Sequence, residues 1–138
     1  MILLDTQVLL WFVSGDKRLR APAWKLVANA ADAGEAAVSP ISFWEVAMLA
    51  SKGRIQLGMP ADAWANTICS SDTGPRIAPL TPAVAAGAGQ LVGSIHGDPA
   101  DRIIIATARA HGSALLTTDE KILTYAKAGH VEAIDARR

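Results

Sequence analysis

Five acids occupy places where a carboxylate is expensive unless something offsets its charge. Asp5 is the only charged residue among the first 15, and Glu45 is the only one from Ala36 through Ser51. Asp98 and Asp101 stand at the mouth of the apolar run Ile103-Ile104-Ile105-Ala106, and Asp119 follows Ala114-Leu115-Leu116-Thr117. Ionised carboxylates brought into one cleft repel one another and call for a cation. With all-oxygen donors, that cation is Mg²⁺ or Mn²⁺. Such an ion lowers the pKa of a bound water and neutralises charge on a phosphoryl group, which is the chemistry of phosphodiester hydrolysis.

Each acid also has a plain structural reading. Ser42-x-x-Glu45 matches a helix capping box. Asp98-Pro99 matches an N-cap followed by proline, and Asp101 suits the first turn of the same helix. Asp119 could cap a helix, and Asp5 could close a turn. Singly, capping is the simpler account of each. Jointly, lone acids at successive junctions of apolar segments point to a shared site. Asp98 lies four residues before Arg102, in the favourable orientation for a helical ion pair, whereas the residue four after Asp101 is Ile105. Asp101 is therefore assigned to the cation and Asp98 to a supporting role, with a fifth ligand left open.

The elements needed to bring these acids together are legible as an alternation. Short apolar runs at residues 2–4, 36–38, 76–80, 114–117 and 130–133 read as strands. Helical patterns cover 6–13, 22–34, 42–52, 60–70, 81–92, 98–111 and 119–125. Strand–helix alternation with short buried strands predicts an α/β sandwich around a parallel sheet. In such a sheet, every acid just past a strand or in the first turn of a helix lies at the carboxyl edge, where ligands bind.

Composition narrows the class. The 138 residues, 51% hydrophobic and 19% charged, fit one packed domain and exclude a disordered or fibrous chain. Thirteen Lys+Arg balance thirteen Asp+Glu, which excludes a bulk polycation that coats nucleic acid. Setting aside the five acids leaves eight against thirteen bases, so the rest of the chain carries +5 and an RNA-cleaving site stays compatible with neutrality. One cysteine, Cys69, forms no internal disulfide, so a reducing cytoplasmic setting is expected, with Cys69 a small buried residue. His96, His111 and His130 read as loop or surface residues, and the four Trp as core or interface anchors. The charge-free stretch 77–97 has the length of a membrane span but is broken by Pro79, Pro82 and four glycines, so no membrane segment is expected.

Four blocks occur in order: Leu3-Leu4-Asp5-Thr6; Ile41-Ser42-Phe43-Trp44-Glu45-Val46-Ala47 with Lys52-Gly53-Arg54; His96-Gly97-Asp98-Pro99-Ala100-Asp101-Arg102 running on to Ala108; and Leu115-Leu116-Thr117-Thr118-Asp119. Together they resemble a PIN domain of the VapC-type toxin ribonucleases, over residues 2–134. The resemblance implies a three-layer α/β/α fold with a central parallel sheet and a single domain spanning residues 1–138. It implies an Mg²⁺- or Mn²⁺-dependent endoribonuclease leaving a 3′-hydroxyl and a 5′-phosphate. By motif position, the catalytic and metal-holding acids are Asp5, Glu45, Asp101 and Asp119, with Thr6, Ser42, Asp98 and Thr117 supporting them. An RNA substrate, a VapB-type antitoxin and a homodimer are the implied partners.

Three other classes put acids at strand ends or helix starts. A phosphatase or phosphotransferase of the haloacid-dehalogenase type needs Asp-x-Asp after the first strand, where this chain has Asp5-Thr6-Gln7. A receiver-like domain needs paired acids there and a phosphorylatable Asp ending a middle strand. A non-catalytic interaction module would use the acids only as caps.

Overall fold

Apolar runs of three or four residues bury both faces only when helices cover the sheet they form, and parallel pairing provides that arrangement. The computed structural model describes residues 1–138. Strands β1 (Ile2–Leu4), β2 (Ala36–Val38), β3 (Arg76–Ile77), β4 (Ala114–Thr117) and β5 (Ala133–Asp135) form one sheet. Its order is β3-β2-β1-β4-β5, and every pairing is parallel. Seven helices connect the strands: α1 (Thr6–Ser14), α2 (Ala21–Asp32), α3 (Pro40–Ser51), α4 (Ala61–Ser70), α5 (Pro82–Gly89), α6 (Pro99–His111) and α7 (Glu120–Lys127).

The two-residue period of the strands divides the core. Leu4, Val38 and Leu116, aligned in register, pack with Val8 and Leu9 of α1, Val27 of α2, Val46 of α3, and Trp64 and Ile68 of α4. Leu3, Ala37 and Leu115 present the opposite face to Ile104 and Ile105 of α6 and Ile122 and Tyr125 of α7. The α5 residues Val84 and Ala88 pack on Ala106 of α6. This is the three-layer α/β/α sandwich expected from the alternation. No helix is long and apolar enough to cross a membrane.

Strand order decides where a site can form. From β1 the chain crosses to β2 on one side, and from β4 it crosses to β5 on the other. The crevice beyond the carboxyl ends of β1 and β4 is thus the switch point of the sheet, the place where open α/β sheets bind ligands. Asp5 follows β1 directly, and Asp119 follows β4 after one residue.

Several boundaries differ from the sequence reading. β3 stops at Ile77: Ala78 still donates its N–H to Val38 O, but Pro79 has no N–H to continue the ladder. β5 lies at Ala133–Asp135, not 130–133, because its register is set by Leu115, Leu116 and Thr117 of β4. α5 ends at Gly89, short of residue 92, in a segment weakened by Gly87 and Gly89. α3 starts at Pro40, with Ser39 accepting the Ile41 N–H, so Ser42 sits inside the helix and does not cap it. Cys69 is exposed, against the expectation of burial. Of the four Trp, Trp64 is buried, whereas Trp24 and Trp44 are 43% and 54% exposed and leave apolar surface open.

Candidate metal centre

Asp5 is carried into the switch-point crevice by β1. Its N–H donates to Leu116 O, which fixes it against the end of β4. Its Oδ1 accepts the Thr6 N–H at 2.8 Å, capping α1, and its Oδ2 accepts the Thr117 hydroxyl at 2.6 Å. Only 7% of Asp5 is exposed. Burial raises its pKa, the Thr117 and Thr6 hydrogen bonds oppose the rise, and the charges of Asp119 and Asp98 add to it.

The Thr117 hydroxyl has a second use: it accepts the Asp119 N–H at 3.0 Å. One side chain, 112 residues from Asp5 in sequence, thereby ties the first acid to the last. Asp119 caps α7, its Oδ1 accepting the N–H groups of Lys121 and Ile122 at 2.8 and 3.2 Å.

Glu45 enters from α3, three residues and about one turn after Ser42. Thr6 Oγ1 lies 2.6 Å from Glu45 Oε1 and 2.9 Å from Ser42 Oγ. Thr6 has a single proton and an ionised carboxylate only accepts, so Thr6 donates to Glu45 and Ser42 completes the chain of hydroxyls. Ser42 and Glu45 therefore act through Thr6 on α1 rather than as a capping box. Burial raises the Glu45 pKa, the Thr6 bond opposes it, and Asp5 and Asp98 add to it.

Asp101 lies in the first turn of α6. Burial first, then the charges of Asp5, Asp98, Asp119 and Glu45, push its pKa up to about 8. Asp98 caps α6 by accepting the Asp101 N–H at 3.1 Å. The helical ion pair with Arg102 does not form. Arg102 instead donates to Ala88 O, Gly89 O and His96 O, closing the end of α5 and the loop before α6.

His96, read from the sequence as a loop or surface residue, belongs to this cluster. Its side chain is 21% exposed, and its Nε2 lies 3.2 Å from Asp101 Oδ2. That nitrogen is buried and, despite the short distance, lacks the alignment of a formed hydrogen bond. Its Nδ1 accepts the Asp98 N–H at 3.2 Å. His96, Asp101 and Asp119 each place one ligand atom within 4.8 Å of the others. The signal available in the sequence was a histidine two residues before an Asp-Pro helix start, which puts its ring over the first turn.

The cluster thus joins residues of α1, α3, α6 and α7 with the ends of β1 and β4. The arginine ion pairs link Arg18 to Asp16, Arg137 to Glu120 and Asp135, and Arg138 to Asp135; no Lys or Arg pairs with Asp5, Glu45, Asp98, Asp101 or Asp119. Four of these acids lie at helix N-termini, Asp5, Asp98 and Asp119 as caps and Asp101 in a first turn, where the partial positive charge offsets part of the repulsion. Burial, with the neighbouring carboxylate charges behind it, still raises the pKa of Asp5, Glu45 and Asp101. Carboxylate oxygens gathered without a basic partner are the donor set that suits a hard divalent cation.

A family profile described as PIN domain matches residues 2–128. The chain is 39% identical over 124 residues to Ribonuclease VapC22 of Mycobacterium tuberculosis, covering 90% of this chain and 91% of that protein. Among solved structures it resembles FitAcB from Neisseria gonorrhoeae, with TM-score 0.64, 21% identity, and 99% and 98% of the two chains covered. It also resembles VapBC2 from Rickettsia felis bound to a promoter DNA fragment, with TM-score 0.68, 17% identity and 98% of each chain covered. The structural likenesses show the fold, and the profile and the curated relative show the family: this chain belongs to the PIN domain family, beside its VapC-type members.

Proposed function

We propose that this chain is a divalent-cation-dependent endoribonuclease, working as a single PIN domain in the cytoplasm and serving as the toxin of a toxin–antitoxin pair. One observation carries the reading: acids from separate elements gather at the switch point of the sheet without a Lys or Arg among them. Asp5, Glu45, Asp101 and Asp119 would hold Mg²⁺ or Mn²⁺, which when bound supplies charge neutralisation at the scissile phosphate and a water that ionises near neutral pH. The chain's own residues set the geometry. Thr117 fixes Asp5 relative to Asp119, and Thr6 with Ser42 fixes Glu45 relative to Asp5. Asp98 holds the first turn of α6, and so the height of Asp101.

RNA as substrate is supported by the name of the curated relative, a ribonuclease, and is compatible with the charge distribution. The +5 left outside the cluster supports weak, salt-sensitive contact with a phosphate backbone. A VapB-type antitoxin is the expected partner: another structure of this fold, from Klebsiella pneumoniae, is a toxin–antitoxin complex (TM-score 0.65, 23% identity, 99% and 98% of the two chains covered). A homodimer is the expected state, and exposed Trp24 and Trp44 offer it apolar surface.

The test is cleavage of single-stranded RNA by the purified protein with Mn²⁺ or Mg²⁺, and its loss on chelation. Cleavage that persists under chelation would contradict the reading. Thr117→Val, nearly isosteric, should lower cleavage by about 10–100-fold by releasing Asp5 from Asp119, with the circular dichroism spectrum unchanged. A wild-type rate in that variant would remove Thr117 from the account.

A second reading has a specific observation behind it: Asp5, Asp98 and Asp119 do cap helices. If capping is their whole role, calorimetry will detect no Mn²⁺ binding by the wild type, and Asp101→Ala will change nothing.

A further inference from the structure

We propose that His96 is a positioning residue for this centre: its imidazole, anchored at Nδ1 by the Asp98 backbone, uses Nε2–H to hold one oxygen of Asp101 and leaves the other for the cation. The inference rests on the reading of the acid cluster as a metal site.

The tautomer follows from the first contact. Nδ1 accepts the Asp98 N–H at 3.2 Å, so that nitrogen is bare and the neutral ring carries its proton on Nε2. A protonated ring nitrogen has no lone pair to give a metal. For Nε2 to become a ligand, the proton would move to Nδ1 and confront the Asp98 N–H, donor against donor. Donation from Nε2 is the use of the ring that keeps both contacts.

The acceptor is at hand. Asp101 Oδ2 lies 3.2 Å from Nε2, and Nε2 is buried with no aligned partner. A small rotation of the Asp101 carboxylate closes the bond, and carboxylates that hold metals are themselves oriented by such hydrogen bonds. The backbone that carries the ring is also tied down. Arg102 donates to His96 O at 3.5 Å and to Ala88 O at 2.9 Å, tying the loop to the end of α5. Asp98 simultaneously accepts the Asp101 N–H, so ring, cap and carboxylate are fixed to one helix start.

The experiment compares wild type, His96→Ala and His96→Gln by calorimetry with Mg²⁺ and with Mn²⁺, and records nitrogen hyperfine coupling on bound Mn²⁺ in the wild type. Gln keeps a donor at the reach of Nε2, whereas Ala removes it. Positioning predicts that His96→Ala weakens both cations alike by about 10–100-fold, that His96→Gln recovers to within about threefold, and that bound Mn²⁺ shows no directly coordinated nitrogen. Wild-type affinity in His96→Ala, failure of Gln to rescue, or a coordinated ring nitrogen overturns the proposal while leaving the acid site standing. A wild type that binds neither cation overturns the acid site and this proposal together.

Discussion

Asp5→Asn is expected to reduce RNA cleavage by about a thousandfold or more while leaving the fold intact. A cation at a scissile phosphate contributes several kcal/mol to transition-state stabilisation, and each 1.36 kcal/mol is about tenfold in rate. Asp5 is the most buried acid of the cluster, at 7% exposure, and the one joined by hydrogen bonds to both α1 and β4. Asn keeps the shape. Its amide oxygen still accepts the Thr6 N–H, and Thr117 retains a free lone pair for its amide hydrogens. The substitution also removes one of the like charges that raise the pKa of Asp101. Without added metal, the variant should therefore melt at or above the wild-type temperature. Loss of cleavage with a melting point unchanged or raised fits the account. Wild-type cleavage, or loss of cleavage through unfolding, does not.

The second large effect is in the pH dependence of the metal-free protein. Asp101 keeps its proton up to about pH 8 in the folded state, whereas the unfolded chain gives it up near the ordinary value of 3.8. Between these limits folding takes up a proton, so stability falls as pH rises, by at most about 1.4 kcal/mol per pH unit for one proton. The contribution of this group is whole below the ordinary carboxylate range and is lost once the pH passes its folded value. Asp5 and Glu45, both shifted upward, act in the same direction. A cation replaces the proton, so its apparent affinity should tighten with pH below the Asp101 value, by about tenfold per unit for each proton displaced. Thermal unfolding from about pH 5.5 to about pH 8.5, with Mn²⁺ and with chelator, reads both effects. The chelated protein should lose stability steadily, the Mn²⁺-loaded protein should not, and Asp101→Asn should flatten the chelated curve. A melting temperature that is level or rises with pH under chelation would contradict the shared-site electrostatics.

The parts of the site legible in the sequence were those written as isolation. Asp5, Glu45, Asp101 and Asp119 were visible because each is a charge at the edge of an apolar segment, and β1 and β4 because their apolar runs end in acids. What brings these acids together is strand order, and order is a tertiary property: nothing within Ile2–Leu4 or Ala114–Thr117 states that they are neighbours. Local contests were also decided by context. Ser42 looked like a cap, but Ser39-Pro40 starts the helix earlier and frees Ser42 to meet Thr6. Arg102 looked like a partner for Asp98, but the unsatisfied carbonyls at the end of α5 claim it. His96 carries no periodicity, and its place two residues before Asp98-Pro99 is the one local cue; that it meets Asp101 is decided by the folded first turn of α6.

Anomalous diffraction from a crystal soaked in Mn²⁺ shows whether the acid cluster holds a divalent cation. The account predicts a manganese peak in the crevice beyond β1 and β4, with carboxylate oxygens of Asp5 and Asp101 at about 2.0–2.6 Å. A crystal with no peak there, or with manganese bound only elsewhere on the surface, would contradict it.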